Sequence, residues 1–377
     1  MKRDNLLIVA DSERCADMLY ATGMFVPDPF IYFQVNGQPH LVLSDLEIDR
    51  ARREAPHCRL VSLSKIQKSL RAEGVKKLTL SHVVHKICRA KGIRKASVPH
   101  GFPLGIANDL KTQNIKIKPI AGQFFPERQF KTAGEVKKLS AALMMAEVGL
   151  AEGIQALKTS KIDRKGRLIY RNNPLTSEKL RAIIDTAIVQ SGGLPAHTIV
   201  AGGRQGCDPH ERGFGPLRAN EPIILDVFPR SQKTGYFGDI TRTIVRGRAS
   251  EAIRKVYHTI HRGQEIGFAH IHDGADGRNV HLKIREFFDR EGYKTGKIKG
   301  RMQGFFHGTG HGVGLEIHES PNMGPNSTDT LRANHVVTME PGLYYWDLGG
   351  GVRLEDMALI TTKGIRNLTK FEKVLEV

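Results

Sequence analysis

Four short apolar runs in the second half of the chain each carry an acid. Residues 223–228 hold Asp226, 236–245 hold Asp239, 336–345 hold Glu340, and 351–360 hold Glu355. β-Branched and aromatic residues bounded by Gly and Pro predict strands. A carboxylate inside such a strand is costly to bury unless it is paired or binds a metal. One acid of this kind is explained by an edge position or a salt bridge; four in one half of a chain are not. The same half contains residues 307–319, His-Gly-Thr-Gly-His-Gly-Val-Gly-Leu-Glu-Ile-His-Glu, where three histidines alternate with four glycines. Glycine permits tight turns and close approach. Imidazole ligates borderline metals and carries a proton near neutral pH. A His-rich loop alone also fits structural histidines; beside four strand-borne acids it points to a metal centre.

The order Asp, Asp, His, Glu, Glu resembles the pita-bread metallopeptidases, the family of methionine aminopeptidase, Xaa-Pro aminopeptidase and Xaa-Pro dipeptidase (prolidase). Glu-Pro-Gly-Leu-Tyr at 340–344 and Gly-Val-Arg-Leu-Glu-Asp at 351–356 are similar to the Xaa-Pro branch. The resemblance runs from about Phe130 to the C-terminus. The first 125 residues are only loosely similar to the N-terminal domain of Xaa-Pro peptidases and creatinase. It implies an α+β chain, with a creatinase-like α/β domain over 1–125 and a pita-bread catalytic domain with a curved antiparallel sheet over 126–377.

The resemblance also implies that Asp226, Asp239, His311, Glu340 and Glu355 hold two divalent metals, with Asp239 and Glu355 bridging. Four carboxylates and an imidazole, with no thiolate, suit Mn(II) first, with Co(II), Fe(II) or Zn(II) as alternatives. The implied reaction is hydrolysis of the Xaa-Pro bond at a peptide N-terminus by a hydroxide bridging the metals, Glu340 passing a proton to the leaving nitrogen. His318 and His210 match substrate-facing histidines, His307 shapes the pocket or touches substrate, and Arg353 is expected to orient Asp239 or Glu355.

Three departures matter. Asp226 and Asp239 stand thirteen positions apart, farther than is usual in the family, with residues 229–235 read as a longer hairpin turn. The two glutamates are also one residue farther apart than usual, with 347–351 as a looser turn. Third, where prolidases usually carry an arginine for a dipeptide's carboxylate, this chain has Asn322, which makes no bidentate charged contact. Arg204, Arg212 and Arg230 are loop candidates for a replacement cation. The expected activity is therefore an Xaa-Pro aminopeptidase, with Xaa-Pro dipeptidase as the alternative. A catalytically inactive binding protein and a metal-free creatinase-like hydrolase are further alternatives; both conflict with five filled ligand positions.

The 377 residues suffice for two domains, and 40% hydrophobic with 25% charged residues is ordinary for a globular chain. No run approaches a membrane span, and the apolar stretch near the N-terminus reads as a first strand. Cys15, Cys58, Cys88 and Cys207 lack paired spacing, which predicts a reducing, cytoplasmic setting. The net charge of +18 is partly local: residues 65–118 carry thirteen Lys or Arg against Glu73 and Asp109. This is read as a solvated surface, with nucleic acid as the lesser alternative. The expected partners are a peptide with proline in second position and a second copy of the chain. Residues 6–10, 30–35 and 39–43 predict strands, the last two a hairpin. Thr132 with Glu135 predicts a capping box opening a helix whose buried face is Val136, Leu139, Leu143, Ala146, Leu150, Ile154 and Leu157.

Overall fold

The structure, a computed structural model, describes residues 5–377; Lys2 and Arg3, ahead of the first apolar run, lie outside the described residues. The chain divides into two compact units, Met1–Arg128 and Gln129–Val377.

In the first unit the predicted strands Leu6–Ala10, Phe30–Val35 and Gln38–Leu43 lie together in a six-stranded sheet. Phe30–Val35 and Gln38–Leu43 form the expected hairpin, turning through Asn36 and Gly37, both at positive φ. That is the turn whose twist matches the strands it joins. Alternate residues face opposite cores. Leu7, Val9, Ile31 and Phe33 pack with Val83, Val84 and Ile87, while Ile8, Tyr32 and Leu41 pack with Met18 and Phe125. Of the thirteen Lys and Arg in 65–118, twelve are exposed, and Lys86, the exception, pairs with Glu73.

The second unit begins with helix Ala133–Thr159, opened by the capping box of Thr132 and Glu135. All seven residues of the predicted face are buried. Gly149 and Gly153 let it approach helix Ser177–Gln190 closely: a Cβ on either glycine would come within 2.7 Å of Ile188 or Ile184. Beyond this pair lie two antiparallel sheets. One orders Ile199–Gly202, Pro222–Val227 and Ile240–Val245. The other orders Glu319–Met323, Gly310–Gly312, Val336–Met339, Asp356–Thr361 and Gly364–Asn367. A bridge between Thr241 and Glu355 joins them. Helices Glu251–His270 and Gly277–Arg290 contribute Ile260, Gly263-facing Phe288 and Ile284 to a core shared with Val337, Met339, Leu343 and Leu354. Among the described residues no helix is long and apolar enough to cross a membrane. All four cysteines are free, Cys58 and Cys88 buried.

Two of the predicted runs are not single strands. Residues 336–345 divide at Glu340-Pro341 into Val336–Met339 and Gly342–Tyr345. Residues 351–360 divide at Leu354-Glu355 into Gly350–Arg353 and Asp356–Thr361. Gly342–Tyr345 and Gly350–Arg353 pair with each other, outside the five-stranded sheet. Each glutamate thus stands at a corner where the chain leaves one sheet for another. Pro341 has no N–H for a ladder, which favours a break there.

Candidate metal centre

The corners and strand ends bring the sequence-predicted acids together. Asp226 lies on strand Pro222–Val227, opposite Thr241. Asp239 directly precedes Ile240–Val245, His311 is the middle residue of Gly310–Gly312, and Glu340 and Glu355 occupy the two corners. One ligating atom from each of Asp239, His311 and Glu355 lies within 4.8 Å of the others. His311 Nε2 is 3.8 Å from Asp239 Oδ2 and 3.3 Å from Glu340 Oε1. The residues come from both sheets, so no local segment builds the cluster.

Neighbouring groups aim these side chains. The other ring nitrogen of His311, Nδ1, donates to the Gly312 carbonyl at 3.1 Å, which turns Nε2 to the acids. The His311 N–H donates to Thr338 Oγ1 at 3.0 Å, and that hydroxyl donates to Glu340 Oε1 at 3.3 Å. Thr241 Oγ1 donates to Glu355 Oε2 at 2.7 Å. Arg353 was expected to orient Asp239 or Glu355; its direct partners are Asp226 Oδ2, 2.5 Å from Nη2, and Tyr344 Oη, 2.9 Å from Nη1, and it reaches Glu355 only through Thr241, whose Oγ1 accepts from Arg353 Nε at 3.4 Å. The reason is the corner: Arg353 ends the strand before Glu355, and its side chain reaches across to the sheet that carries Asp226.

Electrostatics distinguish the members. Burial, reinforced by the charge of Asp226, holds Asp239 well above the usual carboxylate range. Burial and the charge of Asp239 do the same to Glu355. Burial alone would lower His311, but the Glu340 hydrogen bond and the charges of Glu340 and Asp239 raise it to about 9. Burial would raise Glu340, yet the hydrogen bond and charge of His311 bring it down to about 2. Two buried carboxylates, Asp239 and Glu355, and two half-buried ones, Asp226 and Glu340, thus share one arginine and one imidazole. A donor set of hard oxygens plus one imidazole, with excess negative charge in a low-dielectric site, fits divalent cations.

The histidines read as substrate groups gather at the same place. The ring of His318 lies edge-on to that of His311, centroids 4.4 Å apart, and is exposed. His307 Nε2 lies 2.8 Å from Tyr344 Oη. His210 is exposed on its loop, and its charge bears on both His307 and His318. Asn322 is the cross-strand partner of His311, and its side chain is exposed.

Sequence reasoning missed several supporting residues. Buried Gln264 donates from Nε2 to the carbonyls of Met339 at 2.8 Å and Leu354 at 3.3 Å, the residues just before Glu340 and Glu355. Buried His281 is 3.0 Å from Thr309 Oγ1, and the Thr309 carbonyl accepts the Glu340 N–H at 2.8 Å. Lys131 Nζ and Glu319 Oε2 form a buried ion pair at 2.9 Å beside His318. A lone Gln in a helix, or a Lys just ahead of one, carries no sequence signal for such tasks.

The chain is 27% identical over 351 residues to the Xaa-Pro dipeptidase of Pyrococcus horikoshii, covering 91% of this chain and 88% of the relative. It is 30% identical over 274 residues to the Bacillus subtilis peptidase YqhT, covering 66% and 73%. The X-Pro aminopeptidase structure from Thermotoga maritima superposes with a TM-score of 0.82 at 22% identity, covering 99% and 97% of the two chains, and shares the pita-bread fold. The sequence pattern of metallopeptidase family M24 matches residues 137–362, which run from the long helix through the last acid-bearing strand and include every residue of the cluster. The chain therefore belongs to metallopeptidase family M24.

Proposed function

We propose that this metallopeptidase is a dinuclear, metal-dependent Xaa-Pro aminopeptidase that prefers peptides extending past the proline. Asp226, Asp239, His311, Glu340 and Glu355 would hold two divalent ions, Mn(II) first. When bound, such ions acidify a water and polarise the scissile carbonyl. The remaining work falls to the chain. Glu340 accepts the proton of the attacking water and delivers it to the proline nitrogen, the role the family resemblance implies. His318 donates to the oxygen on which charge develops. His307 and His210 line the approach, and Arg353 aligns Asp226 through the contact of its Nη2 with Oδ2.

The preference for longer peptides is carried by Asn322, directly opposite His311 in the strand register. A dipeptide's carboxylate at this position needs a cation to replace its hydration. The amide of a longer peptide needs only hydrogen bonds, which an asparagine supplies. Strict dipeptidase action is the second reading, favoured by the name of the Pyrococcus relative that spans most of the chain. The test is to assay metal-loaded protein on Ala-Pro and on Ala-Pro-Ala-amide side by side, before and after chelation. Chelation is expected to abolish both activities and Mn(II) to restore them. A kcat/KM much higher for the dipeptide would establish the dipeptidase reading instead, and full activity after chelation would remove the metal-dependent one.

A further inference from the structure

Arg242 stands on strand Ile240–Val245, three residues after Asp239, and is 0% exposed. An arginine is almost never buried completely unless its charge is paired and its donors are met. Here all five N–H donors find acceptors, and the acceptors come from three segments. Nη1 donates to the carbonyls of Thr241 at 2.9 Å and Glu355 at 2.7 Å. Nη2 donates to Asp356 Oδ1 at 2.9 Å and to the Phe371 carbonyl at 2.7 Å. Nε donates to the Glu372 carbonyl at 3.0 Å.

The carbonyls it takes lie outside any strand. Glu355 is the corner between Gly350–Arg353 and Asp356–Thr361, and Phe371 and Glu372 follow the last strand, Gly364–Asn367. A planar fork with five donors can serve several such groups at once. Arg242 thus reaches from the three-stranded sheet to a corner of the five-stranded one, the two sheets that supply the acids.

Glu355 is gripped at three atoms by two consecutive residues. Its N–H donates to the Thr241 carbonyl at 3.1 Å, its Oε2 accepts from Thr241 Oγ1 at 2.7 Å, and its carbonyl accepts from Arg242. The peptide plane before its Cα is held by Thr241 and, through the Leu354 carbonyl, by Gln264. The plane after its Cα is held by Arg242. Fixing both planes fixes the direction of the Cα–Cβ bond, and so the aim of the carboxylate toward Asp239 and His311.

The far side of this clamp is itself anchored. Asp356 is 0% exposed, and its Oδ2 accepts from Asn367 Nδ2 at 3.1 Å and Lys373 Nζ at 2.5 Å. Beyond Lys373, the Leu375 carbonyl accepts from the Val245 N–H at 2.6 Å, and the Val377 N–H donates to the Val245 carbonyl at 2.9 Å. Glu376 Oε1 accepts from the Ala249 N–H at 2.9 Å and from Arg254 Nε at 2.8 Å.

We infer that Arg242 is a positioning residue of the metal centre: it holds the Glu355 corner against the segment 371–373 and thereby aims the Glu355 carboxylate. This rests on the reading of Glu355 as a metal ligand. The test compares Mn(II) affinity, by equilibrium dialysis, with the urea midpoint in chelator for wild type, Arg242→Lys and Asp356→Asn. Lysine keeps a charge for Asp356, but three donors on one nitrogen do not span the carbonyls of residues 355, 371 and 372. Asparagine at 356 removes the countercharge, yet leaves an oxygen for Nη2 and leaves Nη1 on Glu355. Both variants are expected to unfold at lower urea. Only Arg242→Lys is expected to bind Mn(II) more weakly, by about tenfold or more, the typical loss when a group that orients a ligand is removed. Should Arg242→Lys not fold, Arg242→Gln combined with Asp356→Asn leaves no unpaired charge between the two positions and takes its place. That double variant is expected to bind Mn(II) about tenfold more weakly than Asp356→Asn alone. Wild-type affinity in the Arg242 variant, or an equal loss in Asp356→Asn, overturns the positioning role and leaves the peptidase reading intact. A wild type that binds no Mn(II) removes the metal-centre reading and the positioning role with it.

Discussion

His318 and Asn322 lie beside the same candidate ligand, His311, one by ring contact and one by strand register, and mutation separates their proposed roles. Removal of one donor to a developing oxyanion typically lowers turnover about 100-fold or more. His318→Ala is expected to do this with metal content unchanged; a variant that loses metal would make His318 a ligand or a support for one. Asn322→Arg is expected to shift kcat/KM toward dipeptides, because it restores a charged partner for the carboxylate. An unchanged dipeptide-to-tripeptide ratio would take length selection away from this position. The sequence pointed to both residues through the family resemblance, which places them by their position relative to His311. The partner of Arg353 was not legible. Its target depends on which strand lies across from it, and residue 353 is far in sequence from Asp226.

Strand and helix ends set the geometry of the site. The two glutamates occupy corners, and Gln264 of helix Glu251–His270 ties both corners through the carbonyls of Met339 and Leu354. The segment that carries His318 is anchored in a different way. Glu319 pairs with Lys131, both side chains 1% exposed, and Glu319 Oε1 accepts the Glu316 N–H at 3.1 Å. Removing one member of a buried pair leaves the other charge uncompensated, at a typical loss of about 3–5 kcal/mol. Lys131→Met is therefore expected to lower the urea midpoint markedly, whereas Lys131→Met with Glu319→Gln should recover much of the loss. Equal midpoints for wild type and Lys131→Met would show that the pair contributes nothing. The long helix Ala133–Thr159 was readable from 3.6-residue periodicity and from the capping box at Thr132. The corners were not, because the runs 336–345 and 351–360 remain apolar across the break, and only the competing sheets decide where pairing changes partner.

At the scale of the whole molecule, acid sensitivity follows from buried neutral histidines. His335 is 1% exposed, and burial, with Lys131 nearby, lowers its pKa to about 4. An unfolded histidine titrates near 6.5. Between these values the unfolded chain binds a proton that the folded chain refuses, so stability is full above about 6.5 and declines as pH falls toward 4. His335→Asn removes this titration and keeps an acceptor for the Arg332 N–H, which His335 Nδ1 accepts at 3.2 Å. Between pH 7 and pH 5 the wild type should lose more stability than the variant, as read from urea midpoints; parallel losses would rule out His335 as a source. The amino-acid sequence by itself pointed to the acids and histidines that gather at the candidate site and to elements such as the first strand and the helix opened at Thr132, because residue type, period and capping are local properties. Only the tertiary structure decided which acids share His311, which one takes Arg353, and which carbonyls Arg242 holds. Those contacts join residues tens to more than a hundred positions apart, and long-range pairing is set by the packing of whole sheets rather than by any local run.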